Sequence, residues 1–487
     1  MSQTRIERDS MGEMTVPSHV LFGATTQRAV LNFPVSGRPV PPEVIHAYAL
    51  LKGACATVNA QLKKLDAKRA KLIVRACDEI AVAMEGAPTA LGGDCGEAMQ
   101  HFPIDVFQTG SGTSTNMNVN EVISNLVCIY ERKPIGAKEP VHPNDHVNMG
   151  QSSNDTFPTA MQVAAAIAID RELIPALKAL ATALRAKSRK WNKIVKIGRT
   201  HLMDATPIRL GQEFSGYAAQ IEYSVLRAER AMMRLAENLP IGGTAVGTGI
   251  NTHPSFGAKV ARQLKQRTRI AFAEAADHFE AQATRDCIVE ASGHLKTIAV
   301  ALTKIANDIR WLGSGPRCGL FELSLPATQP GSSIMPGKVN PVICESVMQV
   351  ACQVIGNDAA ITLGGVGGVG GLLELNVAMP MMADNLIESI SLLANAANMF
   401  NEKCITGLEV NREIATGTVE RSLMMCTSLA PEIGYDKAAE VAKNAFKSGQ
   451  TVREYVLQHK MVDPKKLEAL LDPWSMTEPG GTGAGGG

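Results

Sequence analysis

Residues 329–341 read Gln-Pro-Gly-Ser-Ser-Ile-Met-Pro-Gly-Lys-Val-Asn-Pro, which sets two serines, a lysine and an asparagine among three prolines and two glycines. Neither a helix nor a strand suits that composition. Pro330, Pro336 and Pro341 restrict φ, whereas Gly331 and Gly337 permit positive φ, so hydroxyls and backbone amides can be aimed at a bound anion. Lys338 supplies positive charge. Taken alone, the same composition also suits an ordinary Pro/Gly linker.

Other stretches carry groups of the same kind. Gly198-Arg199-Thr200-His201 runs into Leu202-Met203-Asp204-Ala205-Thr206-Pro207, a polar turn before a helix that begins near Gly211. A loop histidine among polar neighbours changes charge near neutral pH and can shuttle protons, although a bland surface histidine fits the pattern too. Gly150-Gln151-Ser152-Ser153-Asn154-Asp155-Thr156 has the composition of a helix N-cap ahead of Pro158, where free amides favour anions. His142 and His146 could start a metal site, but the chain offers no HExxH pattern and no evident third ligand, so no metal is expected. The glycine-rich run 242–249 hints at a dinucleotide turn. No strand precedes it and no βαβ pattern follows, so no nucleotide cofactor is expected. A second glycine run, 364–371, has no functional reading.

Three stretches, two of them described above, resemble signatures of the fumarase/aspartase superfamily, and of class II fumarases within it. They are Gly331 to Pro341, Thr109-Gly110-Ser111-Gly112-Thr113 through Asn116-Met117-Asn118-Val119-Asn120-Glu121, and Gly198 to His201 through Leu210-Gly211-Gln212-Glu213-Phe214. They occur in the family's order, and the resemblance runs from about Thr4 to Trp474. It implies reversible hydration of fumarate to L-malate through a carbanion (aci-carboxylate), without metal or organic cofactor. Such a reaction needs a base, donors for the charge that develops on the carboxylate, and an acid for the departing hydroxyl.

By resemblance, Ser332 is the base for the C3 proton of malate. His201 is the acid, with Glu345 the carboxylate that orients and polarises water. Lys338, with Ser333, Val339 and Asn340, stabilises the intermediate, one well-placed donor being worth about 3–4 kcal/mol. Ser111, Gly112, Thr113, Ser152, Ser153, Asn154 and Thr200 match substrate-binding positions. His142, Pro143, Asn144 and Asp145 resemble a second, non-catalytic carboxylate site. Similar aspartases carry glutamine where this chain has His201, which favours water over ammonia. Leu202-Met203 and Thr206 depart from the fumarase wording Thr-Gln-Asp-Ala-Val-Pro. The alternatives are an aspartate ammonia-lyase or related fumarate-releasing lyase, and a non-catalytic helical scaffold of the same fold.

These loops need a rigid frame, and the sequence supplies helices. Aromatic residues make up 4% of the chain while alanine, leucine, isoleucine and methionine abound, which suits close-packed helices better than sheet sandwiches. Ile288, Ala291, Leu295, Ile298, Leu302, Ile305, Ile309 and Leu312 recur at steps of three and four, an apolar seam for one long helix. Residues 159–187, 211–239 and 377–403 are similarly striped, with Pro175 expected to kink the first. Residues 346–363, 43–63 and 67–84 read as further helices, and 86–100 as a surface loop. The expected fold is therefore mainly all-α, and the resemblance implies three domains with a central long-helix bundle. Their bounds are 1–149, 150–412 and 413–476, followed by a disordered glycine-rich tail at 477–487.

The 487 residues carry a net charge of +1, with 48 basic against 47 acidic residues, which gives no electrostatic footprint for nucleic acid or an anionic membrane. A small-molecule partner fits better, and the resemblance implies a small dicarboxylate, fumarate or L-malate. Ten cysteines without a CxxC pair indicate neither a zinc ribbon nor a disulfide framework. With no apolar N-terminal segment and no apolar run of about 18 residues, a cytoplasmic protein is expected, and the resemblance implies an enzyme of the tricarboxylic acid cycle. The resemblance adds a homotetramer whose active sites are shared between subunits.

Overall fold

The computed structural model describes residues 4–479. Helices dominate, and the strands among the described residues form four antiparallel two-stranded pairs. The all-α expectation holds. Two compact units emerge: one contains residues up to Pro175 with Leu226–Ala299 and Ala351–Ala394, the other Ala176–Val225, Val300–Val350 and residues from Asn395 on.

In the first unit, helix α1 (Pro42–Gln61) starts with proline in its first turn, where the missing N–H costs nothing. Val44, Ala47, Tyr48, Leu51, Cys55 and Val58 of α1 are all buried, and α1 packs against α2 (Ala67–Met84) and α4 (Ser153–Ala168). Asp66 caps α2 by accepting the N–H groups of Lys68 and Arg69 at 3.1 and 3.0 Å. Helix α3 (Thr113–Tyr130) is buried along most of its length. Its Glu121 carboxylate accepts N–H groups of Gly23, Thr25 and Thr26, so a charge in the Asn-rich motif serves to cap the short helix Ala24–Asn32.

Where a proline kink was expected, α4 gives way to a π turn at Ile169–Leu173, and α5 (Ile174–Lys190) follows with Pro175 in its first turn. The wider turn accommodates the ring and the lost donor without a break. Residues 86–100, expected as a surface loop, are mostly exposed and are pinned to the unit at two points. Leu91 and Ala98 are buried, Cys95–Met99 is a short helix capped by Asp94, and His101 Nε2 lies 3.1 Å from the Leu91 carbonyl.

Between α5 and α6 (Leu210–Ala236) stands a hairpin the sequence reading did not foresee, formed by β1 (Val195–Thr200) and β2 (Met203–Arg209). Its Ile197 joins the apolar cluster of the C-terminal helices, with Val419, Leu429, Val441, Val456 and Leu470. Helix α7 (Asp286–Leu312) buries every residue of the predicted seam. Helices α8 (Val342–Gly365) and α9 (Met379–Phe400) follow. The glycine run that joins them acquires a steric reason. A Cβ on Gly370 would lie 1.9 Å from the Gly364 carbonyl oxygen, which itself accepts the Asn376 amide at 2.8 Å.

Thr477 and Glu478, at the start of the expected tail, are fastened: the Thr477 carbonyl accepts from Gln212, and Glu478 pairs with Arg209 at 2.8 Å. The rest of that tail, from residue 480, lies outside the described residues. No helix among the described residues is long and apolar enough to cross a membrane.

Candidate active site

The first unit assembles one hydroxyl-rich cluster. Ser111 Oγ lies 2.9 Å from Thr113 Oγ1, which lies 2.7 Å from Ser153 Oγ, so three hydroxyls form a chain across the starts of α3 and α4. Each can turn a proton toward a carboxylate. Two glycines make this approach possible. A Cβ on Gly110 would sit 1.6 Å from the Val377 carbonyl oxygen. One on Gly112, whose φ is 69°, would sit 1.9 Å from the Phe157 ring. Gly112→Ala is therefore expected to destabilise the fold by about 2–4 kcal/mol. It should also lower kcat/KM on the order of 10²-fold by displacing Ser111 and Thr113. Thermal unfolding with steady-state kinetics reads both.

The second segment of this cluster is the start of α4. Ser152 caps it, accepting the Asn154 N–H at 3.2 Å, while the Ser152 N–H donates to Asp155 at 2.9 Å. This reciprocal box satisfies two of the donors at the helix start and fixes its geometry. Asp155 is fully buried and also accepts the N–H groups of Gly242 and Thr244, at 3.1 and 2.9 Å. Asn154 donates to the Ala245 carbonyl at 2.8 Å. Burial pushes the Asp155 carboxyl up to about 6, against those three amide bonds and the nearby Lys52 charge. Lys52, fully buried on α1, donates to Asn116 Oδ1 at 2.7 Å and Asn148 Oδ1 at 3.0 Å, and burial brings its ammonium down to about 8.

His142, Pro143, Asn144 and Asp145 open a π turn (Pro143–Val147). The His142 Nδ1 accepts the N–H groups of Asn144 and Asp145, both at 3.2 Å, and the His142 N–H donates to His146 Nδ1 at 2.8 Å. Asn144 and Asp145 are exposed. Burial holds the His146 imidazole below its ordinary range.

In the second unit, Thr200 ends β1, and His201 and Leu202 form the two-residue tip of the hairpin, exposed, with φ of 57° and 59°. Both central positions of such a turn need positive φ, which glycine and asparagine adopt most readily. A buried ion network holds the hairpin's base. Glu322, 1% exposed, lies 3.0 Å from Lys196 and 2.7 Å from Arg199, and Lys196 lies 3.3 Å from Glu213. Arg199 stands two residues before His201, so the network fixes the strand that leads to the tip.

The loop 329–341 is drawn together at its neck. The Gly331 N–H donates to the Lys338 carbonyl at 2.8 Å, and Asn340 Nδ2 donates to the Gly331 carbonyl at 2.7 Å. A Cβ on Gly331 would meet the Lys338 oxygen at 2.6 Å. Within the loop, Ser332 Oγ accepts the N–H groups of Ile334 at 3.2 Å and Met335 at 3.0 Å. Ser333, Lys338 and Val339 are exposed, and Glu345 lies in the first turn of α8. No hydrogen bond or ion pair among the described residues joins Ser332, His201 and Glu345 to one another.

Ser111, Gly112, Thr113, Ser152, Ser153 and Asn154 thus come together at the starts of α3 and α4. The sequence reading missed Asp155, although Ser152 followed three residues later by an acid is a capping-box spacing. It missed Lys52 as well, since one lysine in the apolar run 44–58 carries no spacing signal.

A family model described as Lyase matches residues 12–356, and a second, Fumarase C C-terminus, matches 425–478. The chain is 54% identical over 481 residues to a fumarate hydratase class II of Mycobacterium tuberculosis, covering 97% of this chain and 96% of that protein. It is 48% identical over 478 residues to a fumarate hydratase class II of Nitrosomonas europaea, covering 98% and 100%. Its fold matches the crystal structure of a class II fumarase from Schistosoma mansoni with a TM-score of 0.92 and 37% identity, over 98% of this chain and 100% of that one.

Proposed function

The chain belongs to the fumarase/aspartase superfamily of lyases, with class II fumarate hydratase relatives matched over nearly its full length, and on that basis we propose which of its residues carry the reaction. The reaction is the reversible hydration of fumarate to L-malate, a carbon–oxygen lyase reaction.

Ser332 is the base that takes the C3 proton. The carrying observation is that its Oγ accepts two backbone N–H groups. Donors aimed at an oxygen stabilise its ionised form, which an isolated serine hydroxyl does not reach near neutral pH. Lys338, Ser333, Val339 and Asn340, on the same loop, bind and stabilise the doubly charged intermediate. The hydroxyls of Ser111, Thr113, Ser152, Ser153 and Thr200, with the Gly112 backbone and the Asn154 amide, hold the substrate carboxylates. His201, with Glu345, acts on the departing water. The segment His142 to Asp145 is a second carboxylate site, its two tip side chains open to solvent.

The site is composite, and a homotetramer is the assembly that completes it, a reading that rests on the family membership. The divisions at 149 and 412 go with this reading. A cytoplasmic location does too, supported by ten free cysteines.

An absorbance assay at the fumarate band, with malate, aspartate and argininosuccinate offered separately, tests the assignment. Malate is expected to be consumed and aspartate not, because His201 stands where the ammonia-releasing relatives carry glutamine. Comparable turnover of aspartate would sink it.

A further inference from the structure

Asp155 has a place in this site that the roles above do not use. Its side chain is fully buried, yet three backbone N–H groups converge on it from two separate segments: Ser152 from the start of α4, and Gly242 and Thr244 from the loop 240–249. The neutral acid serves the three less well, because its protonated oxygen becomes a donor and a weaker acceptor. Thr244 is held at a φ of 55°, a conformation that needs an outside anchor. On the other side of the carboxylate, the same two segments meet again through the Asn154 amide and the Ala245 carbonyl. The groups facing Asp155 are Tyr48, Lys52 and Cys55 of α1 and His278 of the helix His278–Ala283. Lys52 is the nearby cation on α1, and it is itself fixed by Asn116 and Asn148.

We propose that Asp155 is a positioning residue for substrate binding: its carboxylate ties the α4 N-terminus to the loop 240–249 and so sets Ser152, Ser153 and Asn154 to grip a substrate carboxylate. This rests on the reading of Ser152 to Asn154 as substrate ligands. Asp155 touches no reacting atom, so its loss acts on KM more than on kcat. Burial raises its protonation to about pH 6, so the carboxylate is present above that pH and lost below it. Lys52 favours the charged form, and removing it moves that loss to higher pH.

The test compares wild type, Asp155→Asn, Lys52→Met and Asn154→Ala, measuring kcat and KM for malate from pH 5 to pH 8, with succinate as a non-reacting competitive probe. Asp155→Asn is expected to raise KM and the succinate inhibition constant about tenfold at pH 7.5 with a smaller change in kcat. The ratio of variant to wild-type KM should shrink toward one as pH falls to 5, because wild type then loses the same carboxylate. Titration of the substrate is common to both proteins and cancels in the ratio; His278, held above its ordinary range by the Glu274 hydrogen bond and in smaller part by the Asp155 charge, does not cancel, so the ratio is also read in a His278→Gln background. Lys52→Met should weaken succinate binding at pH 7 more than at pH 8, which provides a second measurement if Asp155→Asn folds poorly. A KM ratio that stays constant with pH, or a normal KM in Asp155→Asn, overturns the proposal. If Asn154→Ala leaves succinate binding unchanged, the substrate-site reading itself fails, whatever Asp155 does.

Discussion

Ser332→Ala is expected to abolish both fumarate hydration and exchange of the malate C3 proton with solvent, a loss on the order of 10³-fold or more. Alanine removes the only atom in the loop on which the Ile334 and Met335 N–H groups converge, while the neck bonds of Gly331 and Asn340 use none of it. The loop should therefore keep its closure while the chemistry stops. Exchange by isotope incorporation separates the steps. His201→Asn is expected to slow hydroxyl departure and leave more of the exchange intact, since the acid acts after the carbanion forms. Near-normal exchange in Ser332→Ala would mean that another group is the base.

Mixing two inactive chains gives the second large effect. Ser332→Ala and His201→Asn chains, co-refolded in equal amounts, are each expected to be inactive alone and to recover about a quarter of wild-type activity together. With Ser332 and His201 of one site on different chains, each is intact with probability about one half, so about a quarter of sites hold both. With both on one chain, every site stays broken. Activity measured after native mass spectrometry has established mixed tetramers decides the matter, and no recovery there would show a site built within one subunit.

How much of this was legible in the sequence depends on the signal each element leaves. The helices were plain, because a seam such as Ile288 to Leu312 repeats its apolar residues at helical steps, and burial follows that pattern residue by residue. The hairpin was not. Its strands are short and hold arginine, lysine and aspartate, and its tip, His201-Leu202, lacks the Asn-Gly wording that announces a two-residue turn. The loop chemistry was visible as residue types, but serine, lysine and glycine at 331–338 suit a Pro/Gly linker as well, and only the order of the three motifs gave them a role. What the residues bond to was invisible: the convergence of 152, 242 and 244 on Asp155 joins positions about 90 apart. Only folding brings such distant positions together, and no local periodicity encodes it.

The hairpin tip also constrains which changes the chain can accept. His201 and Leu202 both hold a left-handed backbone, at a cost of about 1–2 kcal/mol each. Asparagine followed by glycine would relieve that cost, so variation that improves folding leads away from histidine at this turn. Selection for a more stable protein and selection for turnover therefore pull this pair of residues in opposite directions. The buried charges of Glu322, Lys196 and Arg199 at the hairpin's base keep the costly tip in place.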